Sequence, residues 1–329
     1  MYLVLAIMIN VIKNKKILIV GFGGIGCRHT QSLLDDGFND IYIYDTNTDN
    51  IYNNIKLIGY DLAEIKIVNS LNDLDSDYID FVIISTSSEH RFDIFNKLVQ
   101  KDIKYFLLEK IVFQSMEEFR KANQLIDDKK LFAYCNFPNR YFINYANLRQ
   151  EIMFSSKADF YISSGDCGIA CSGIHYLDLF EYLTCSSIIE TKSLLEKWTK
   201  NNKRGNSYID FSGVFFAKNE KNNNMELFFD KSHNGGCMIR ILLENKIVIL
   251  SETDLSHYSI KKNIEVINNQ SFNIKPQSQL TSKMVEGIYS HNSLLPTINE
   301  SMNAHYHLFK ECQKTINPNY TVDSKCPVT

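Results

Sequence analysis

Three glycines in the stretch KILIVGFGGIGCRHTQSL, residues 16–33, restrict the fold of the first part of the chain more than any other feature. They stand in the spacing G-x-G-x-x-G, at Gly21, Gly23 and Gly26, after a short apolar run and before a helical pattern. A strand, this loop and a helix in succession are typical of a βαβ unit that binds a dinucleotide. Gly21 would permit a tight turn, Gly23 would let the backbone approach a pyrophosphate, and Gly26 would let the helix lie close to the strand.

The residues around this loop indicate which dinucleotide it would bind. Gly24 and Ile25 lie in the first turn of the predicted helix, where free amide hydrogens face the phosphates. The next predicted strand ends at Asp45, whose carboxylate can accept hydrogen bonds from the ribose hydroxyls of adenosine. A carboxylate at this position repels the 2′-phosphate of NADP, so we expect NAD as the cofactor and NADP as the weaker ligand. A structural glycine turn beside a surface aspartate is the alternative.

The pattern of apolar residues predicts two kinds of sheet. As far as the stretch LFAYCNF, short runs rich in Ile, Val and Phe alternate with amphipathic helical patterns, which is typical of a doubly wound parallel sheet. From about residue 155, longer strand patterns are joined by polar turns such as KNEKNNN, which favours a mostly antiparallel sheet. The predicted fold class is therefore α/β, with an N-terminal Rossmann domain and a C-terminal α+β domain whose large, mostly antiparallel sheet is open.

The two predicted domains cover residues 1–135 and 136–329. We expect residues 1–7 to be disordered or to precede the true start, because Met8 begins an ordinary approach to a first strand. A helix is predicted near 296–314, and it is a candidate to pack back on the Rossmann domain. The tail after this helix is expected to be loose.

Composition and charge restrict the class of partner. The 329 residues, 44% of them hydrophobic, can bury two cores, which leaves room for a cofactor domain and a substrate domain. With 35 basic and 38 acidic residues interspersed, the formal net charge is -3, so no field exists to attract nucleic acid or an anionic membrane. The eight cysteines form no C-x-x-C pair, which argues against a disulfide scaffold or a zinc ribbon and favours a reducing cytoplasm. We expect a small-molecule partner.

The stretch VIISTSSEH ends another predicted strand in small hydroxyl residues, at the edge where an open parallel sheet binds its ligand. Its candidates for lining the nicotinamide end of the cofactor are Ser85, Thr86, Ser87 and His90. An ordinary serine cap with Glu89 in the first helical turn explains the stretch equally well. His90 alone is more often a surface histidine than a functional one.

The next strand pattern, KYFLLEK, ends at Glu109 and Lys110 on the same edge, and both are candidates for binding the cofactor. A lysine there would lie near a bound nicotinamide, where its ammonium group can hydrogen-bond a substrate hydroxyl and stabilise the alkoxide that hydride transfer requires. Taken alone, a lysine that points to solvent from a strand end is the commoner case.

A third set of candidates lies in the second half of the chain. Cys171, His175 and Asp178 stand at i, i+4 and i+7, which puts them on one face of a predicted helix. A histidine can take the proton of a substrate hydroxyl while hydride leaves the carbon, although a lone helical histidine is usually structural. With Cys167, this face could also hold a metal. Since the spacing C-x-x-x-C-x-x-x-H matches no common zinc pattern, we expect no metal.

Together these motifs resemble the glucose-fructose oxidoreductase and inositol dehydrogenase family (Gfo/Idh/MocA). Its members carry GxGxxGxxH near the start, EKP after the fifth strand, and D-x-G-x-H followed by x-x-D-L in the second domain. The matching stretches here are GFGGIGCRH, LLEKI and CSGIHYLDL, and LPTINESMNAH is similar to the family's later P-x-x-x-E-S segment. The resemblance covers nearly the whole chain and implies an NAD-dependent oxidoreductase, with Lys110 and His175 as its catalytic residues.

Two positions depart from the family pattern. Ile111 replaces the proline after the lysine, which removes the restriction that a proline imposes on the backbone of Lys110. Cys171 replaces the aspartate that supports proton transfer in the family. The resemblance therefore implies that Lys110 and His175 act without that aspartate.

The resemblance also implies a substrate and an assembly. The stretches CNFPNRYF and GIACSGIHYLDLFEYLT are most similar to members associated with surface-polysaccharide and flagellin-sugar biosynthesis, which implies a sugar or nucleotide sugar as substrate. Its candidate ligands are Arg140, Tyr141, Cys171 and Asp178. Members often associate through the open C-terminal sheet, so a homo-oligomer is expected. Two alternatives stay open, namely an epimerase or glycosidase that oxidises its substrate transiently and a non-catalytic dinucleotide sensor or scaffold.

Overall fold

A computed structural model of the protein describes residues 11–72, 74, 79–165, 167–198, 207–230, 235–261, 266–317 and 319–329. Its contacts divide the chain into two compact units. The first unit comprises the residues up to Phe113, Glu117–Pro138 and Lys275–Glu300, and the second comprises Gln114–Met116, Asn139–Ile274 and Ser301–Thr329. The sequence pattern carries no signal for the return of 275–300 to the first unit. The expectation for residues 1–7 lies outside the described residues.

The first unit contains a six-stranded parallel sheet. Its strands are β1 (Ile17–Val20), β2 (Ile41–Tyr44), β3 (Lys66–Ile67), β4 (Phe81–Ile84), β5 (Tyr105–Leu108) and β6 (Phe132–Cys135). They lie in the order β3-β2-β1-β4-β5-β6, and every neighbouring pair is parallel. All residues of β1 and β4 are buried, as expected for parallel strands covered on both faces. The strand order reverses between β1 and β4, which is where such sheets bind ligands.

The helices follow the strands as the amphipathic patterns predict. In chain order they are α1 (Gly24–Asp35), α2 (Thr48–Leu57), α3 (Arg91–Leu98), α4 (Met116–Lys129), α5 (Ile143–Met153), α6 (Ile174–Thr184), α7 (Thr281–Tyr289) and α8 (Ile298–Ile316). Across the described parts of the chain, no helix is both long and apolar enough to cross a membrane. The helix predicted near 296–314 corresponds to α8.

The second unit contains an eight-stranded sheet in the order β14-β13-β12-β11-β7-β10-β9-β8. Its strands are β7 (Ala158–Gly165), β8 (Ile188–Trp198), β9 (Asp210–Asn219), β10 (Asn224–Asp230), β11 (Met238–Leu243), β12 (Lys246–Ser251), β13 (Ser256–Lys261) and β14 (Val266–Ser271). Only the pair formed by β7 and β10 is parallel among these described strands, so the mostly antiparallel sheet is confirmed. The predicted hairpin at KNEKNNN joins β9 to β10.

The sequence pattern does not predict strand β8, and the reason is physical. A bulge between Ile188 and Glu190 shifts the alternation of its side chains. Only two of its eleven residues, Ile188 and Thr191, are buried, so the run IIETKSLLEKW lacks the regular apolar alternation that predicts a strand.

The expectation of a loose tail is wrong. The Cys326 N–H donates to the Gln114 carbonyl at 2.7 Å, and the Ile209 N–H donates to the Pro327 carbonyl at 2.8 Å. Cys326 and Val328 are fully buried. The tail therefore packs within the second unit. The mostly polar composition of the tail gives no sign of this, because the few apolar residues that are buried lie near its end.

Candidate functional site

The glycine loop after β1 combines crowded and open positions. Gly21 has a φ of +92°, and a Cβ there would lie 2.9 Å from the Thr86 nitrogen. A Cβ at Gly26 would lie 2.1 Å from the Gly21 carbonyl oxygen, so the fold excludes larger residues at both positions. A Cβ at Gly23 would meet nothing within 4 Å, and the same holds for Gly24. The open space thus lies in front of the first amide groups of α1, where a pyrophosphate fits.

Asp45 lies beside this loop, immediately after β2. Its Oδ2 accepts a hydrogen bond from the Phe22 N–H at 2.6 Å, and its Oδ1 accepts one from the Asn47 N–H at 2.8 Å. The Asn54 side chain donates to the Phe22 carbonyl at 2.7 Å, which holds the loop from the other side. These residues could hold the adenosine half of NAD, and the contacts of Gly23, Gly24 and Ile25 with the phosphates and of Asp45 with the ribose stay predictions.

Asp45 leads to a prediction about cofactor choice. We expect the protein to bind NAD about tenfold or more tightly than NADP, because the Asp45 carboxylate repels the 2′-phosphate. Calorimetric titration with each dinucleotide measures the ratio, and Asp45→Ser should bring the two affinities closer together. Equal or tighter binding of NADP by the native protein would remove this role from Asp45.

The hydroxyl residues after β4 differ in their surroundings. Ser85 is buried, and its hydroxyl donates to the Gly21 carbonyl at 2.7 Å, so it braces the glycine loop. Ser87 precedes the short turn Ser88–His90, yet within the described residues its side chain makes no capping hydrogen bond. His90 is exposed. Contacts of Ser85, Thr86, Ser87 and His90 with the nicotinamide end stay a prediction.

Glu109 and Lys110 are both buried after β5. The Glu109 Oε1 lies 3.0 Å from the His29 Nε2 and also accepts a hydrogen bond from the Asn136 side chain. Burial alone would raise the pKa of Glu109, but the hydrogen bond and charge of His29 and the Asn136 amide outweigh it and hold this pKa well below its usual range. Glu109 is therefore held as an anion, and its contact with the cofactor stays a prediction. The peptide bond between Lys110 and Ile111 is cis.

His29 and Asn136 are neighbours of the candidate residue Glu109 that the sequence pattern does not single out. The His29 Nδ1 lies 2.8 Å from the Thr281 Oγ1, and the Asn136 amide also donates to the Gln277 Oε1 at 3.0 Å. His29 had a signal in the sequence, since it ends the GFGGIGCRH match. Asn136 and Gln277 had none, because only the fold brings Asn136 to the Glu109 carboxylate and Gln277 to the Asn136 amide.

The candidates in the second unit begin at a π-helical turn. This turn, Ile169–Gly173, contains Cys171 and leads into α6. The Asp210 Oδ1 accepts hydrogen bonds from the Ala170 N–H at 2.8 Å and the Cys171 N–H at 3.4 Å. His175 is the second residue of α6 and is half-buried. The α-helical spacing assumed for Cys171, His175 and Asp178 therefore holds only for the last two.

Arg140 and Asp178 lie in contact with each other. The Arg140 Nε and Nη2 donate to the two Asp178 carboxylate oxygens at 2.9 and 2.7 Å, and the guanidinium lies 4.8 Å from the centre of the Tyr182 ring. The Asp178 side chain is only 2% exposed. The pair is bidentate and largely buried, and a role in substrate binding for Arg140, Asp178 and the half-buried Tyr141 stays a prediction.

Glu181, one turn after Asp178, leads to a prediction about pH. Burial, with a contribution from the Asp178 charge, raises the pKa of Glu181 from 4.5 to about 7. The folded protein thus binds more protons than the unfolded chain between these values, so its stability falls as pH rises through this window. At pH 8 we expect the free energy of unfolding of Glu181→Gln to exceed that of the native protein by about 3 kcal/mol. At pH 4.5 we expect the two free energies to be equal.

Urea titrations of both proteins at several pH values would measure this difference. The glutamine keeps a carbonyl oxygen for the Ile188 N–H, which donates to Glu181 at 2.8 Å. The replacement therefore removes the titration without removing that acceptor. Parallel pH profiles for the two proteins would contradict the prediction.

Comparison with known protein families finds a match to the first part of the chain. The sequence model described as "Oxidoreductase family, NAD-binding Rossmann fold" (Gfo/Idh/MocA) matches residues 15–137. A search of curated proteins by sequence finds no match.

Solved structures share the fold along almost the whole chain. UDP-N-acetylglucosamine 3-dehydrogenase from Acidithiobacillus ferrooxidans is 12% identical, with a TM-score of 0.72 over 92% of this chain and 97% of that one. GenD2 from gentamicin A biosynthesis, in complex with NAD, is 10% identical, with a TM-score of 0.70 over 93% and 95%. A super-repressor mutant of Gal80p from Saccharomyces cerevisiae is 10% identical, with a TM-score of 0.75 over 94% and 98%. At these identities the likeness establishes the fold, and the match to the oxidoreductase family model assigns residues 15–137 to an NAD-binding Rossmann fold.

Proposed function

We propose that the protein is an NAD-dependent dehydrogenase that transfers a hydride between nicotinamide and a ring carbon of a sugar or nucleotide sugar. The observation that carries the proposal is the combination of an open glycine cradle beside Asp45 with a buried lysine, Lys110, at the same carboxyl edge of the parallel sheet. When bound, NAD supplies the hydride acceptor or donor. The chain supplies the residues that orient the substrate and move its proton.

Two side chains divide this work in the proposed mechanism. The Lys110 ammonium group donates a hydrogen bond to the reacting oxygen and stabilises its negative charge as the carbon becomes a carbonyl. The His175 imidazole accepts the hydroxyl proton during oxidation and returns it during reduction. Cys171 stands where the family has an aspartate, so this proton transfer proceeds without a carboxylate at that position.

A sugar substrate is supported by two observations. The fold is shared with an enzyme whose name gives UDP-N-acetylglucosamine as its substrate. Arg140 and Tyr141 offer a guanidinium and a phenol in the second unit, which are groups that bind phosphates and sugar hydroxyls. We place the reaction in surface-glycan biosynthesis in the cytoplasm, where the eight free cysteines would stay reduced.

A screen of nucleotide sugars and free sugars would test the proposed reaction. Purified protein is incubated with NAD and each sugar, NADH absorbance is followed, and each product is identified by mass spectrometry as two hydrogens lighter than its substrate. Lys110→Met serves as the control for contaminating dehydrogenases. A native protein that binds NAD but oxidises no sugar, and reduces no keto-sugar with NADH, would contradict the proposal.

Two other functions fit particular observations. An epimerase or glycosidase that oxidises its substrate transiently would retain its cofactor and release no net NADH. A non-catalytic dinucleotide sensor or scaffold is favoured by the cysteine at position 171, and the fold is shared with Gal80p, whose solved form is named a super-repressor mutant. Exchange of an isotopic label from a sugar C–H bond into tightly retained NAD, with no net release of NADH, would identify the first, whereas NAD binding without any such exchange would identify the second.

The open face of the eight-stranded sheet favours a homo-oligomer. The register of the strands puts five exposed apolar side chains on one face of the sheet. They are Leu194, Phe216, Phe228, Met238 and Tyr258. Leu194 is 75% exposed and Phe228 45% exposed. A second copy would cover this apolar face. Sedimentation analysis should show a dimer or larger assembly that Phe228→Glu shifts towards the monomer; a native monomer would contradict it.

A further inference from the structure

One buried arginine joins the two loops at the carboxyl edge of the parallel sheet. Arg91, the first residue of α3, is 1% exposed. Its Nη1 donates to the carbonyl oxygens of Glu109 at 2.6 Å and Val112 at 3.3 Å, and also to that of Ile111. Its Nη2 donates to the Thr86 carbonyl. One guanidinium therefore binds backbone oxygens from the loop after β4 and from the loop after β5.

The chemistry of this contact is specific to arginine. Burying a cation is costly unless hydrogen-bond acceptors compensate for lost water, and here backbone carbonyl oxygens accept from both terminal nitrogens of Arg91, Nη1 and Nη2. The planar guanidinium presents its donors in a fixed fork, so it can hold two backbone segments at a set separation. A lysine ammonium group is a single point of charge at the end of a flexible chain. It could bind one of these loops but could not span both in the same geometry.

Lys110 lies inside the segment that this guanidinium holds. The carbonyl groups before and after it, those of Glu109 and Ile111, both accept from Arg91. The Glu109 carboxylate is held separately by His29 and Asn136. The backbone on both sides of Lys110 is thus fixed, and the position of its ammonium group depends on that backbone.

We propose that Arg91 is a positioning residue that holds Lys110 and the Thr86 loop in the arrangement that accepts the nicotinamide half of NAD. The inference rests on the proposed function, which assigns these two loops to that half of the cofactor. The proposed function assigns the ADP-ribose half to the glycine loop and Asp45. The hydrogen bonds of Arg91 described here go to the loops after β4 and β5. Loss of Arg91 should therefore weaken recognition of nicotinamide while sparing recognition of ADP-ribose.

A comparison of two ligands tests this without a sugar substrate. NAD and ADP-ribose, which lacks nicotinamide, are titrated calorimetrically into the native protein, Arg91→Lys and Arg91→Met. Arg120→Lys, at an exposed arginine of the same unit, is the matched control. We expect both Arg91 variants to bind NAD about tenfold or more weakly and ADP-ribose within about twofold of the native protein, because only charge-assisted bonds to the nicotinamide loops are lost.

The outcomes separate a positioning role from a general structural one. Equal weakening of both ligands, or no weakening of either, would overturn the inference, since a damaged fold affects both and an idle residue affects neither. If neither variant folds, hydrogen exchange of the native protein decides: NAD must slow exchange in residues 86–91 and 109–112 more than ADP-ribose does, and equal slowing overturns the inference. If the selective effect on NAD is observed but the native protein turns over no sugar, the proposed function is contradicted and the positioning role of Arg91 is retained.

Discussion

Lys110→Met and His175→Ala are each expected to lower the turnover of the sugar substrate by about 100- to 10,000-fold, the usual cost of removing a positioned acid–base or charged group. With Cys171 in place of a carboxylate, no acid at that position can share the proton of His175. In the proposed mechanism, His175 then carries the proton transfer, and Lys110 supplies most of the charge that stabilises the alkoxide. Steady-state rates with the substrate from the sugar screen measure both losses.

The binding of NAD is the control for these variants. Neither side chain touches the pyrophosphate in the proposed arrangement, so NAD affinity should stay close to that of the native protein. Cys171→Asp, which introduces the family residue, should be neutral or mildly activating because the lysine and histidine are already present. If both losses leave turnover intact, the chemistry resides in other residues.

Gly23→Val is expected to weaken NAD binding by about 100-fold or more while leaving the melting temperature unchanged. The backbone of Gly23, with φ at -75° and ψ at -167°, suits a β-branched residue, and a Cβ there meets nothing within 4 Å. The new side chain would occupy the space that the pyrophosphate needs. Calorimetric titration with NAD and thermal unfolding by circular dichroism measure the two quantities.

Gly26→Ala is the matched variant, because its effect has a different cause. Its Cβ would lie 2.1 Å from the Gly21 carbonyl oxygen, so α1 must move away from β1. Overpacking of this kind costs about 1–3 kcal/mol, so we expect a lower melting temperature as well as weaker NAD binding. Normal NAD binding by a folded Gly23→Val protein would show that the loop is a structural turn and not a cofactor cradle.

The sequence predicts features that depend on neighbours along the chain. The glycine spacing places Gly21, Gly23 and Gly26 at the loop after β1 because a strand, turn and helix are all local. Asp45 follows from the same regularity, since β1 and β2 are adjacent and parallel. The alternation of short apolar runs with amphipathic helices likewise predicts the parallel sheet.

Features that depend on distant segments could not be predicted in this way. Arg91 looks like an ordinary first-turn residue of α3 until the fold brings the carbonyls of Glu109 and Ile111 to it. Gln277 meets Asn136 only because residues 275–300 return to the first unit. No pattern in one sequence specifies which of two polar side chains so far apart will meet.

The packed tail has a consequence for how the protein is made. Gln114 and Val328, 214 positions apart, are joined by a hydrogen bond, and the Met116 N–H donates to the Val322 carbonyl. During synthesis, every strand of the eight-stranded sheet leaves the ribosome before the residues that complete its unit. The high contact order of these pairings makes the last step of folding slow, and the nascent chain exposes apolar strands in the meantime. We therefore expect chains cut before Val322 to aggregate and to depend on chaperones, although they contain every proposed catalytic residue.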